Sequence, residues 1–76
     1  MTFEQFLDKV DKFYYENEFE LRYGQSIMNR LYQVRPDLYK NITQTDLDCF
    51  YDDGIVIFTL NYLEKYWNNN DNISLI

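Results

Sequence analysis

The chain has 76 residues, fifteen of them aromatic, one cysteine, no histidine, no alanine and a formal net charge of −6 at neutral pH. That length allows one domain, of a size that buries only about 60 to 65% of the surface its unfolded chain exposes. One cysteine excludes an intramolecular disulfide, the lack of histidine removes the usual general base and a tetrahedral Cys/His zinc set, and the acidic balance argues against direct contact with nucleic acid or anionic lipid. Aromatic rings supply large buried area per residue, so the composition points to packing and recognition rather than catalysis.

Thr2 and Gln5 form a capping-box pattern, and Phe3, Phe6, Leu7, Val10, Phe13 and Tyr14 recur at helical spacing, which predicts a first helix over residues 3–15. Its other face carries Glu4, Asp8 and Asp11, with Lys12 placed to pair with Asp8. The glutamates of 16–20 suit a turn or a helix opening. A second helix is expected over 20–34, with Gly24, Ile27, Met28, Leu31 and Val34 as its apolar stripe and Arg35-Pro36 as its stop. Glycine inside a helix costs roughly 1 kcal/mol relative to alanine, so Gly24 is expected to mark a close approach of another backbone.

Pro36 opens a short third helix to Ile42, with Leu38 and Ile42 inward, and Thr45 to Asp48 has the pattern of one capped turn. After Asp52-Asp53-Gly54, the stretch from Ile55 begins with the β-branched content of a strand, while Val56, Leu60, Leu63 and Trp67 keep helical spacing to residue 67. Helix is favoured because a lone strand would have no partner. The expected fold is a single-domain all-α bundle of three or four short helices over residues 1–67, or α+β if 55–60 is a strand, with Phe6, Val10, Phe13, Ile27, Leu31, Phe58 and Leu63 in the core. Residues 68–76 read as a flexible polar tail ending in an apolar scrap.

Chemistry has few places to sit. Cys49, between Asp48 and Phe50, is in an acidic and apolar setting that blunts a thiol, and reads as a small buried hydrophobe. Asp46, Asp48, Asp52 and Asp53 gather carboxylates before Gly54, but their spacing fails the EF-hand template, and caps and turns account for them more simply. No Gly-rich phosphate loop is present. Neither an enzyme, a metal nor a cofactor is expected.

Charge placement says more. Residues 1–20 carry six acids and two bases, 21–45 one acid and four bases, and 46–76 six acids and one base. Glu4, Asp8 and Asp11 repeat roughly every 6 Å along one helical face, near the spacing of successive phosphates, so this stripe could occupy a basic nucleic-acid groove; the plain alternative is a solvated face. On the second helix Arg22, Gln25, Asn29 and Gln33 form a polar stripe, read first as wiring to the 43–53 segment through an Arg22–Asp48 pair. Its rival is a recognition stripe anchored by Arg22, Tyr23 and Arg30.

The run from Arg22-Tyr23-Gly24-Gln25 through Pro36-Asp37-Leu38 to Asp48-Cys49-Phe50-Tyr51-Asp52, followed by Trp67, resembles a group of small acidic bacteriophage proteins with an Arg-x-Gly-Gln helix, a Pro-Asp-Leu turn and an Asp-x-Phe-Tyr-Asp segment. The resemblance covers about residues 20–67 and implies a phage-encoded origin; the group has no assigned activity, so no catalytic residue is carried over. The expected function is binding and inhibition or modulation of a host protein with a basic surface, through Glu4, Asp8, Asp11, Arg22, Tyr23, Arg30, Asp48, Tyr51, Asp52 and Asp53. The alternative is a structural homo-oligomer. Met1 to Gln5 lacks a basic region and an apolar run, so the host cytoplasm is the expected location and no membrane contact is expected.

Overall fold

A computed structural model describes residues 1–17 and 20–68. The expectations for Glu18, Phe19 and the tail beyond 68 lie outside the described residues. Within them the fold is all-α: α1 (Phe3–Glu16), α2 (Tyr23–Val34), α3 (Pro36–Ile42) and α4 (Val56–Tyr66), with one turn of 3-10 helix at Asp53–Ile55 leading into α4.

The capping box starts α1. The Gln5 amide donates to Thr2 Oγ1 at 3.1 Å and the Thr2 amide to Gln5 Oε1 at 2.9 Å, so two orphan donors of the first turn are satisfied reciprocally. Phe3, Phe6 and Val10 form its buried face. α2 begins at Tyr23 rather than near residue 20, because Glu20 and Leu21 both donate to the Asn17 carbonyl and close a turn there. A side chain 29 residues further on then satisfies the Gly24 amide: Asp53 Oδ1 accepts from it at 2.9 Å. Gly24 does mark a close approach, since a Cβ there would stand 2.0 Å from the Cys49 carbonyl oxygen.

Pro36 opens α3 at its first turn, where a missing amide hydrogen costs nothing, and Leu38 and Ile42 are buried. Residues 55–60 belong to the 3-10 turn and α4, so the strand alternative is overturned. Thr59 helps fix this helix in place. Its hydroxyl, fully buried, donates to the Leu47 carbonyl at 2.7 Å and so ties α4 to the loop that precedes it.

Trp67 closes the domain. Its indole packs against Phe6 with ring centroids 4.9 Å apart and against Phe3 at 5.7 Å, and its Nε1 donates to the Met1 carbonyl at 2.9 Å. Arg35, between α2 and α3, lies over the same ring at 4.8 Å and donates to the Trp67 carbonyl at 2.7 Å. One side chain thus joins the start of α1, the α2–α3 corner and the end of α4. Phe6, Val10, Ile27, Leu31 and Leu63 occupy the core as expected, together with Met28, Leu38, Ile42 and Cys49. Two expected core residues do not. Phe13 is half-buried under Arg30, and Phe58 is 59% exposed. At about 100° per residue Phe58 falls nearly opposite the Val56, Leu60, Leu63 and Trp67 stripe, which is the side that packs inward.

Candidate functional site

The loop from Thr43 to Asp53 has few backbone partners of its own, and its aspartates supply them. Asp48 accepts from the Gln44 amide at 2.8 Å, the Phe50 amide at 2.9 Å and the Thr43 hydroxyl at 3.4 Å. Gln44 has a φ of 64°, the left-handed region that a side chain seldom adopts, and the Thr45 amide donates to the Ile42 carbonyl across it. Asp48 therefore holds a strained turn. Asp52 accepts from the Gly54 amide at 2.8 Å, and Asp53 closes α2 through Gly24. The expected Arg22–Asp48 pair is not formed; both Asp48 oxygens are engaged by its own loop. Arg22 instead donates to the Phe50 carbonyl at 3.2 Å, so α2 is wired to this loop through a peptide oxygen.

Cys49 lies under the same loop, fully buried, with its thiol donating to the Gly24 carbonyl at 3.6 Å. Burial pushes its pKa up, and a thiol held protonated is a poor nucleophile. Among the described residues no three acidic or cysteine side chains converge as metal ligands would.

What the loop leaves outside is apolar and acidic together. Tyr51 is 82% exposed, stacked edge-on against Phe50 at 4.8 Å, and after it come exposed Asp52 and Asp53. Ile57, 64% exposed, and Phe58 follow on the first turn of α4. Phe50 and Tyr51 also wall a cleft of about 230 Å³ whose other sides include Met28 and Tyr39. Phe58, expected in the core, lies instead at the surface, and Ile57, given no role by the sequence, lies beside it; the helical phase of Phe58 already points it away from the Val56, Leu60, Leu63 and Trp67 stripe.

Of the α1 acids, Glu4 and Asp8 are exposed, and Asp8 makes no ion pair with Lys12. Asp11 has another task. Its carboxylate accepts from the Tyr23 hydroxyl at 2.7 Å and so fastens α1 to α2; Tyr23 also packs edge-on against Tyr14 at 5.2 Å. Burial first, then this hydrogen bond, raise the Tyr23 pKa above its usual value. Arg30 Cζ lies over the Phe13 ring, 4.3 Å from its centroid.

The structure therefore divides the expected contact residues. Asp11, Tyr23, Arg22 and Asp48 hold the domain together, Glu4, Asp8, Tyr51 and Asp52 present themselves to solvent, and Asp53 does both, bonding the Gly24 amide from an exposed position. No protein-family model, no curated protein and no solved structure matches this chain. No helix among the described residues is long and apolar enough to cross a membrane.

Proposed function

We propose that this chain is a small acidic phage-type protein that acts in the host cytoplasm by binding a host protein and occupying its basic, nucleic-acid-binding surface. The observation that supports this reading is the juxtaposition at residues 51–58: exposed Tyr51, Ile57 and Phe58 interleaved with exposed Asp52 and Asp53. Apolar and aromatic anchors give an interface its short-range energy, and carboxylates beside them select a cationic partner and speed its approach. Glu4 and Asp8 extend the negative field along α1 without any internal role to lose.

The test is capture from host lysate at low and raised salt, followed by a nucleic-acid competition assay on the retained protein. A salt-labile partner displaced from its nucleic acid by the wild-type chain, and no longer displaced by Ile57→Ser/Phe58→Ser or by Glu4→Lys/Asp8→Lys, is the expected result. A retained protein whose nucleic-acid binding is unaffected would overturn it. The same exposed apolar pair favours one rival, a homo-oligomer that buries it between copies. That rival predicts a melting temperature that rises with protein concentration and falls with Phe58→Ser.

A further inference from the structure

The three arginines of the chain are used differently. Arg22 donates to the Phe50 carbonyl, and Arg35 donates to Asp37 and to the Trp67 carbonyl. Arg30 donates to no group among the described residues: its Nε is sealed from solvent without a hydrogen-bond partner, and its Cζ stands over the Phe13 ring, 4.3 Å from the centroid. The ring contact and the buried Nε hold the guanidinium in place before any ligand arrives.

Arg30 also lines a cleft of about 220 Å³ between α1 and α2, with Lys9, Lys12, Phe13 and Glu16 as the other walls. Lys9, Lys12 and Glu16 share one face of α1, one turn apart, and neither lysine makes an ion pair among the described residues. Three of the chain's seven cations thus meet at one cleft of a protein whose net charge is −6. In the lining three cations face one carboxylate, Glu16, while exposed Asp8 stands beside Lys9 on the same helix. Cations that outnumber the carboxylate in the lining repel one another, so an anion entering the cleft stabilises the arrangement.

We propose that this cleft binds a phosphate-bearing anion, with Arg30 as the oriented donor and Lys9 and Lys12 as the charges that close over it. A phosphate monoester carries about −1.5 to −2 charges near neutral pH and so gains more from the three lining cations than a carboxylate does. Arginine's planar fork suits two phosphate oxygens at once, and the lysines act as mobile point charges. The cleft is large enough for phosphate with a small organic group attached. This site is independent of the acidic partner surface, so its failure would leave the capture experiment untouched.

The experiment is a titration of the isotope-labelled full chain with inorganic phosphate, chloride being exchanged to keep ionic strength constant, read by amide and arginine Nε–H NMR shifts. Saturable shifts centred on residues 9, 12, 13 and 30, with a Kd in the millimolar range or tighter, are expected. Lys9→Gln/Lys12→Gln alters two exposed side chains and keeps the fold, and should weaken phosphate at least about tenfold. Arg30→Lys keeps the charge but loses the stacked fork, and should weaken it as well. Shifts that grow linearly as with chloride, or an unchanged Kd in the double lysine variant, would overturn the site. Acetate saturating as tightly as phosphate would overturn the dianion assignment.

Discussion

The chain has two acidic stretches that look alike on paper, Glu4 to Asp11 on α1 and Asp46 to Asp53 in the loop before α4. On a helix, amides beyond the first turn already donate to carbonyls four residues back, so a carboxylate has nothing local to bind and turns to solvent, as Asp8 does. In a loop the amides are orphans. There the nearest carboxylate becomes structural, as Asp48 does for Gln44 and Phe50, and as Asp53 does for Gly24 across the fold. A negative charge in the sequence is thus a candidate for recognition or for architecture according to how well its neighbours' backbones are satisfied. Asp11 is the exception on the helix, and it is so because a tyrosine from another element reaches it.

The sharpest break of that comparison is at the place where the loop meets α2. Gly24→Ala would drive a Cβ to 2.0 Å from the Cys49 carbonyl oxygen and 2.8 Å from Asp53 Oδ1, and a backbone carbonyl cannot step aside as a flexible side chain can. The expected loss is about 3 kcal/mol or more, a large share of what a domain of this size has, and urea unfolding followed by circular dichroism measures it. Next in size comes the contrast itself. Asp48→Ala, which orphans two amides and a hydroxyl, should cost about 2 kcal/mol, whereas Asp8→Asn should stay within about 0.5 kcal/mol. Equal costs for the two would remove the distinction drawn between loop and helix acids.

Tyr23→Phe removes the hydroxyl that fastens α1 to α2 and should cost about 1 kcal/mol near neutral pH. The folded chain holds this proton more tightly than the unfolded chain, whose tyrosines titrate at about 10. Its contribution is therefore complete below about pH 10 and is lost as pH rises beyond it, so the variant should show a flatter decline in alkaline unfolding curves. Cys49, raised by burial, adds a loss of the same sign starting at lower pH. Asp37 acts at the other end: the hydrogen-bonded Arg35, 2.8 Å away, lowers its pKa, so its share of stability is present at neutral pH and goes as the carboxylate is protonated in acid. The smallest expected effect is a gain. Gln44→Gly relieves a positive φ and should stabilise by about 0.5 kcal/mol, visible as a rise in Tm.

The helices themselves could be read from the chain. The Thr2–Gln5 box, the periodicity of Phe3, Phe6 and Val10, and Pro36 act within one or two turns, and such local rules placed α1 and α3 to within a residue. Gly24 was also legible, because a helical glycine without a local reason implies a tertiary one. The late start of α2, the tasks of Asp11, Asp48 and Asp53, and the outward turn of Phe58 were not. Sequence patterning reports which side chains are apolar or charged and at what period; it does not report which amide, hydroxyl or ring from a distant element stands opposite. Asp53 reaches Gly24 over 29 residues and Trp67 reaches the Met1 carbonyl over 66, and contacts at that separation exist only once the chain has packed. The sequence by itself determined where helices form and how much charge they carry. Tertiary structure alone decided which charges hold the fold and which remain for a partner, because that choice depends on unsatisfied backbone groups that packing brings within about 3 Å of a carboxylate.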